Sequence, residues 1–105
     1  MACWLKRIQE SLCDKRVLIL RNHGLLTVGR TVAEAFIRLY RLESACQVQL
    51  DAGAAESLRV LDQDLDRKSC KDVKRFMEQE DNFGQLEFDV LVRKMDKLDD
   101  SYRLW

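Results

Sequence analysis

No proline interrupts this chain, which has only four glycines and one histidine in 105 residues. With the strongest helix breaker missing and 34% of positions charged, long helices with few sharp stops are expected. Excess charge of either sign is also missing, since 18 basic residues balance 18 acidic ones. No net field draws such a chain toward polyanions, so neither nucleic acid nor membrane insertion is expected. No apolar run approaches the roughly 18 to 20 residues that span a bilayer. The opening "MACWLKRIQE" is charged from Lys6 onward and lacks the apolar core of a secretory signal. A soluble, cytoplasmic protein is the expectation. Cys3, Cys13, Cys46 and Cys70 contain no C-x-x-C pair and are expected as free thiols.

The length suits one small domain, and its periodicity divides it into elements. Trp4, Leu5, Ile8 and Leu12 recur at helical spacing and end at the polar triplet 14–16. Val17, Leu18, Ile19 and Leu20 form an unalternated run, the pattern of a strand covered on both faces. Asn22, His23 and Gly24 supply turn chemistry, after which Leu25, Leu26, Thr27 and Val28 read as a second strand closed by Gly29. Thr31 and Glu34 have the spacing of a capping box, which opens a long helix. Val32, Ala35, Phe36, Leu39, Leu42, Cys46 and Leu50 are its predicted apolar stripe, and its end is expected near Gly53.

Beyond that helix, Leu58, Val60, Leu61 and Leu65 are predicted to start a third helical stretch. Residues 62–72 are nearly all polar and suggest a solvated helix or a partly ordered connector, resuming at Val73, Phe76 and Met77. Residues 80–84 are a predicted break before an amphipathic helix carrying Leu86, Val90, Leu91, Met95 and Leu98. Two strands alone are marginal in water and leave open edges. The expectation is the C-terminal part of a larger α/β domain.

The stretch "LRNHGLLTVGRTVAEAFIRLYRLESACQVQ", residues 20–49, resembles the segment around the last metal-binding histidine of the class II aldolase and adducin family. The preceding "ESLCDKRVLIL" resembles the family's lead-in helix and strand, with Cys13 where a glycine is common, and "FGQLEFDVLVRKMDKLDDSYR" resembles the C-terminal helix of its small members. The core of the likeness covers about 10–53 and 83–103, and 54–82 is a polar helical connector within a single partial domain of residues 1–105. The resemblance implies an α/β fold, here part of a three-layer α/β/α domain, mostly helical with a two-stranded β element. It also implies oligomers, a zinc-type ion, and cleavage or epimerisation of small sugar phosphates. Adducin members keep the fold, lack the chemistry and serve the membrane skeleton.

Carried over residue by residue, the resemblance gives His23 the role of the third zinc ligand. The family's H-x-H pair, acid/base carboxylate and phosphate loops lie upstream of this position, and this sequence has no second histidine. Catalytic zinc needs about three protein ligands, so one imidazole does not hold it usefully, and zinc is not expected on this chain alone. Asp62, Asp64 and Asp66 imitate the opening of an EF-hand loop, but Arg67 and Val73 stand where glycine and glutamate are required. They read as a solvated face. "DNFG", residues 81–84, is not a kinase motif, because Asn82 intervenes and no catalytic loop accompanies it. Cys46 reads as a small buried thiol, and the tail "SYRLW" either folds back on the core or docks on a neighbour.

The functional expectation is a truncated family domain without catalysis of its own, acting through packing or self-association with a like copy or a companion chain. The first alternative is a zinc-dependent aldolase-type lyase or epimerase completed by other sequence. The second is an adducin-like cytoskeletal interaction module.

Overall fold

The computed structural model describes residues 2–55 and 57–104, the side chains of residues 2–4 excepted. Cys3 and Trp4 as side chains, and Trp105 of the tail, therefore lie outside the described residues. The order of elements is α1 (Ala2–Leu12), β1 (Val17–Leu20), β2 (Gly24–Thr27), α2 (Val32–Gly53), α3 (Gln63–Gln79), α4 (Gln85–Leu98) and a 3-10 turn, Ser101–Leu104. Among the described residues the chain is thus mostly helical around one two-stranded sheet.

The hairpin is antiparallel, with Val17 opposite Thr27 and Leu20 opposite Gly24. It packs on α2 through β2, and α1 lies against β1. Two hydrogen bonds fasten it to α2: the Thr27 hydroxyl donates to the Ala35 carbonyl at 2.8 Å, and Arg38 donates to the Val28 carbonyl at 2.7 Å. The expected cover on both faces of β1 is not found. Ile19 is 71% exposed and Val17 is exposed as well, because α2 reaches only the β2 side of the sheet.

α2 starts where the capping pattern places it, with the Thr31 hydroxyl accepting the Glu34 amide at 3.1 Å. The reciprocal half of the box is displaced by one residue, since the Glu34 carboxylate accepts from the Arg30 amide at 2.7 Å. The helix ends at Gly53, as its small residues suggest. Its buried side chains are Ala33, Glu34 and Ile37, none of them in the predicted stripe, of which Val32 and Leu50 are exposed, Ala35, Leu42 and Cys46 are half-buried and Phe36 reaches α4. Hydropathy alone marks the stripe, while the core forms where Phe83 arrives from the far end of the chain.

Phe83 and Gly84 are buried against α2. Gly84 has φ of +81°, and a Cβ placed there would lie 3.1 Å from the Ile37 Cβ, so the close approach of α4 to α2 requires glycine. Phe36 and Phe88 meet edge to face, their ring centres 5.4 Å apart, and extend this contact. The third helical stretch does not begin at Leu58. It begins at Gln63, because Asp62 caps it by accepting the Asp64 amide at 2.8 Å, and Leu58, Val60 and Leu61 stay exposed in non-helical chain. α3 then runs as one solvated helix with no buried residue.

The result is open. The radius of gyration is 17.0 Å, against about 13 Å for a compact chain of this length. The exposed surface is 9711 Å², where a compact monomer of 12.3 kDa shows about 6100 Å². The core is correspondingly small, with Ala33, Ile37 and Phe83 as its buried apolar residues among those described.

Candidate functional site

His23 closes the loop between β1 and β2. The loop is only residues 21–23, and the His23 amide donates to the Leu20 carbonyl at 3.3 Å. Such a tight turn needs positive φ, which Asn22 (+66°) and Gly24 (+104°) adopt. The N-x-G sequence around His23 therefore builds the turn, and the turn presents His23 at the exposed tip of a strand pair.

Beside His23 runs a groove of about 410 Å³ between α1 and β1, lined also by Arg7, Ile8, Ser11, Leu18 and Arg21. The lining thus groups the histidine with two arginines and a serine. Among the described residues no set of three His, Cys, Asp or Glu side chains is placed to hold a metal ion. Among the described residues a self-contained zinc centre, which needs about three protein ligands, is therefore not assembled around His23. Arg7 and Arg21 were not singled out by sequence reasoning, and only the fold of α1 against β1 brings Arg7 here.

The other sequence candidates are accounted for by local structure. Asp62 is a helix cap, and Asp64 and Asp66 lie in the first turn of α3, where carboxylates favour the helix dipole. "DNFG" is the turn that inserts Phe83 and Gly84 into the core. Cys13, Cys46 and Cys70 are free thiols. Cys13 has φ of +44°, a left-handed helix end where glycine is the unstrained residue. The tail folds back, with Tyr102 donating to the Asp96 carboxylate and Arg103 pairing with the same group, while Leu104 remains exposed.

The polar centre that the sequence underplays is Glu34. It is 4% exposed and receives the Arg30 amide, the Arg30 guanidinium at 3.3 Å and the Arg38 guanidinium. Burial alone raises its pKa, but the Arg30 amide and the two cations outweigh burial and hold the carboxyl below its ordinary value. Arg38 and Arg41 lie 5.9 and 5.2 Å from the centre of the Phe83 ring, so the cluster also seats the residue that anchors α4. The spacing of Arg30, Glu34 and Arg38, each four residues apart, is the signal in the sequence that could have revealed it.

The hairpin with N-H-G at its tip, followed by a capped long helix, is a family architecture: residues 4–50 match the family model of the Class II Aldolase and Adducin N-terminal domain. The chain belongs to the class II aldolase/adducin family. It is 34% identical to β-adducin of Rattus norvegicus over 93 residues, which cover 79% of this chain and 13% of that protein. It is 37% identical to a putative class 2 aldolase protein of Pseudomonas aeruginosa over 101 residues, covering 92% of this chain and 38% of that one. Over 60 residues it is 47% identical to α-adducin of the same rat, which covers 52% of this chain and 8% of that protein. The chain thus spans well under half the length of these relatives. No solved structure matches it. No helix among the described residues is long and apolar enough to cross a membrane.

Proposed function

We propose that this chain is a non-catalytic part of a class II aldolase/adducin-type domain, whose role is to associate, either with a second copy or with a companion polypeptide that completes the three-layer fold. The observation that carries this reading is the 9711 Å² of exposed surface on a 12.3 kDa chain, roughly 3600 Å² more than a compact monomer shows. Exposed Ile19 on β1 and the exposed edges of a two-stranded sheet belong to that excess. Removing them from water favours association.

His23 supports a second reading. In the zinc-dependent aldolase alternative it is the last ligand of a site whose H-x-H pair and carboxylate come from other sequence, with a small sugar phosphate as substrate class. The likeness to a putative class 2 aldolase protein favours this reading, and the likeness to adducins favours a cytoskeletal interaction module. Calorimetric zinc titration of this chain tests the non-catalytic reading. On the non-catalytic reading, the chain binds zinc no better than its His23→Ala variant; stoichiometric binding that depends on His23 overturns it.

A further inference from the structure

α3 and α4 each show solvent a stripe that nothing in the described chain covers. On α3 the stripe has an acidic N-terminal part, Asp62 and Asp66, and an apolar C-terminal part in which Val73 is 56% and Phe76 is 66% exposed. On the outward face of α4 the order is reversed. Leu86 (77% exposed) and Val90 (53%) come first, followed by Arg93, Lys94 and Lys97. Leu86, Val90, Arg93 and Lys97 follow one another at helical spacing, on the side away from Phe88 and the core.

Laid antiparallel, the two stripes match along their length. Val73 falls against Val90, Phe76 against Leu86 and Asp66 against Lys97. At 17 and 14 residues the helices are about 25 and 21 Å long, so the overlap is nearly complete. The chain's own α4 is not reached by its own α3. The joint between them is held by the Glu80 carbonyl accepting from Arg30 at 3.4 Å and by buried Phe83 and Gly84, with Glu80 in extended conformation directing α3 outward.

We propose that the occupant of each stripe is a second copy of this chain, α3 of one docking on α4 of the other in a twofold exchange. The contact is isologous, so it occurs twice and closes the dimer. A stable dimer needs about 1200 to 2000 Å² buried in total, well within the excess surface of this chain. Zero net charge leaves no repulsion to overcome. This proposal rests on the associative role above and names its surface.

Sedimentation velocity of the full chain over a wide concentration range tests it. A monomer–dimer equilibrium is expected. Asp66→Lys and Lys97→Glu are each expected to weaken it roughly tenfold, because each pair is broken twice, and the double variant to restore it. Val73→Asp is expected to abolish the dimer. Far-UV circular dichroism checks that a lost dimer is not a lost helix, since Asp66 and Lys97 also favour the dipoles of α3 and α4. A dimer indifferent to the four variants, or single losses without rescue, overturns the α3–α4 contact and leaves self-association standing. A monomer at every concentration overturns both.

Discussion

Replacing Glu34 with Gln keeps the shape of the side chain and removes its charge. The carboxylate is 4% exposed and is held by the Arg30 amide at 2.7 Å and by two guanidinium groups, one of them the half-buried Arg38. Glutamine retains an acceptor for the Arg30 amide but leaves Arg38 without its counter-charge beside Phe83. A hydrogen bond to a charged group contributes about 1.5 to 3 kcal/mol, and losing one partner of a buried pair costs about 3 to 5. Because Arg38 keeps its bond to the Val28 carbonyl, the lower range applies, and Glu34→Gln is expected to cost about 2 kcal/mol. In a chain of this size that lowers the melting midpoint by roughly 10 °C. The pH dependence gives an independent readout. The folded-state pKa of Glu34 lies below its ordinary value of 4.5, so its stabilisation is present above that pH and is lost as pH falls through the lower folded value. Urea unfolding followed by circular dichroism at fixed protein concentration, from neutral pH to about 3, measures both effects. An unchanged midpoint in the variant, or an acid loss as steep as in the parent, refutes the role assigned to this carboxylate.

Three further substitutions probe separate links. Gly84→Ala combines left-handed backbone strain with a Cβ 3.1 Å from the Ile37 Cβ and should cost about 2 kcal/mol or more, whereas Gly24→Ala, which has positive φ but nothing within 4 Å, should cost about 1; equal losses in thermal melts would show that contact with α2 is immaterial. Thr31→Ala removes the cap that accepts the Glu34 amide and should cost about 1 kcal/mol, read as a lower urea midpoint. Cys13→Gly, at φ of +44°, should raise the midpoint by roughly 1 kcal/mol, and a lower midpoint would mean that the thiol makes contacts outweighing the strain.

Local patterns were readable where one short segment contains its own cause. The strand runs, the N-H-G turn, the Thr31 cap and the end of α2 at Gly53 follow from neighbours within about four residues. The start of α3 was misplaced because apolar Leu58, Val60 and Leu61 outweighed the Asp62 cap in a hydropathy reading. The turn that carries His23 is legible in N-H-G, but Arg7 beside it lies on a helix whose position no local pattern gives.

What the sequence by itself determined is the two strands with their turn, the Thr31 cap with the helix it opens, and the family to which they belong, since each rests on short-range backbone chemistry and a contiguous motif. Only the tertiary structure decided which face of α2 is the core. Phe83 and Gly84, some 50 residues from Glu34, select Ala33 and Ile37 over the more apolar stripe, because a buried ring beside two guanidinium groups and a helix seated on a glycine are long-range contacts. The same contacts leave α3 unpacked, as its polar first half suggests, and keep Val73 and Phe76 of its second half in water.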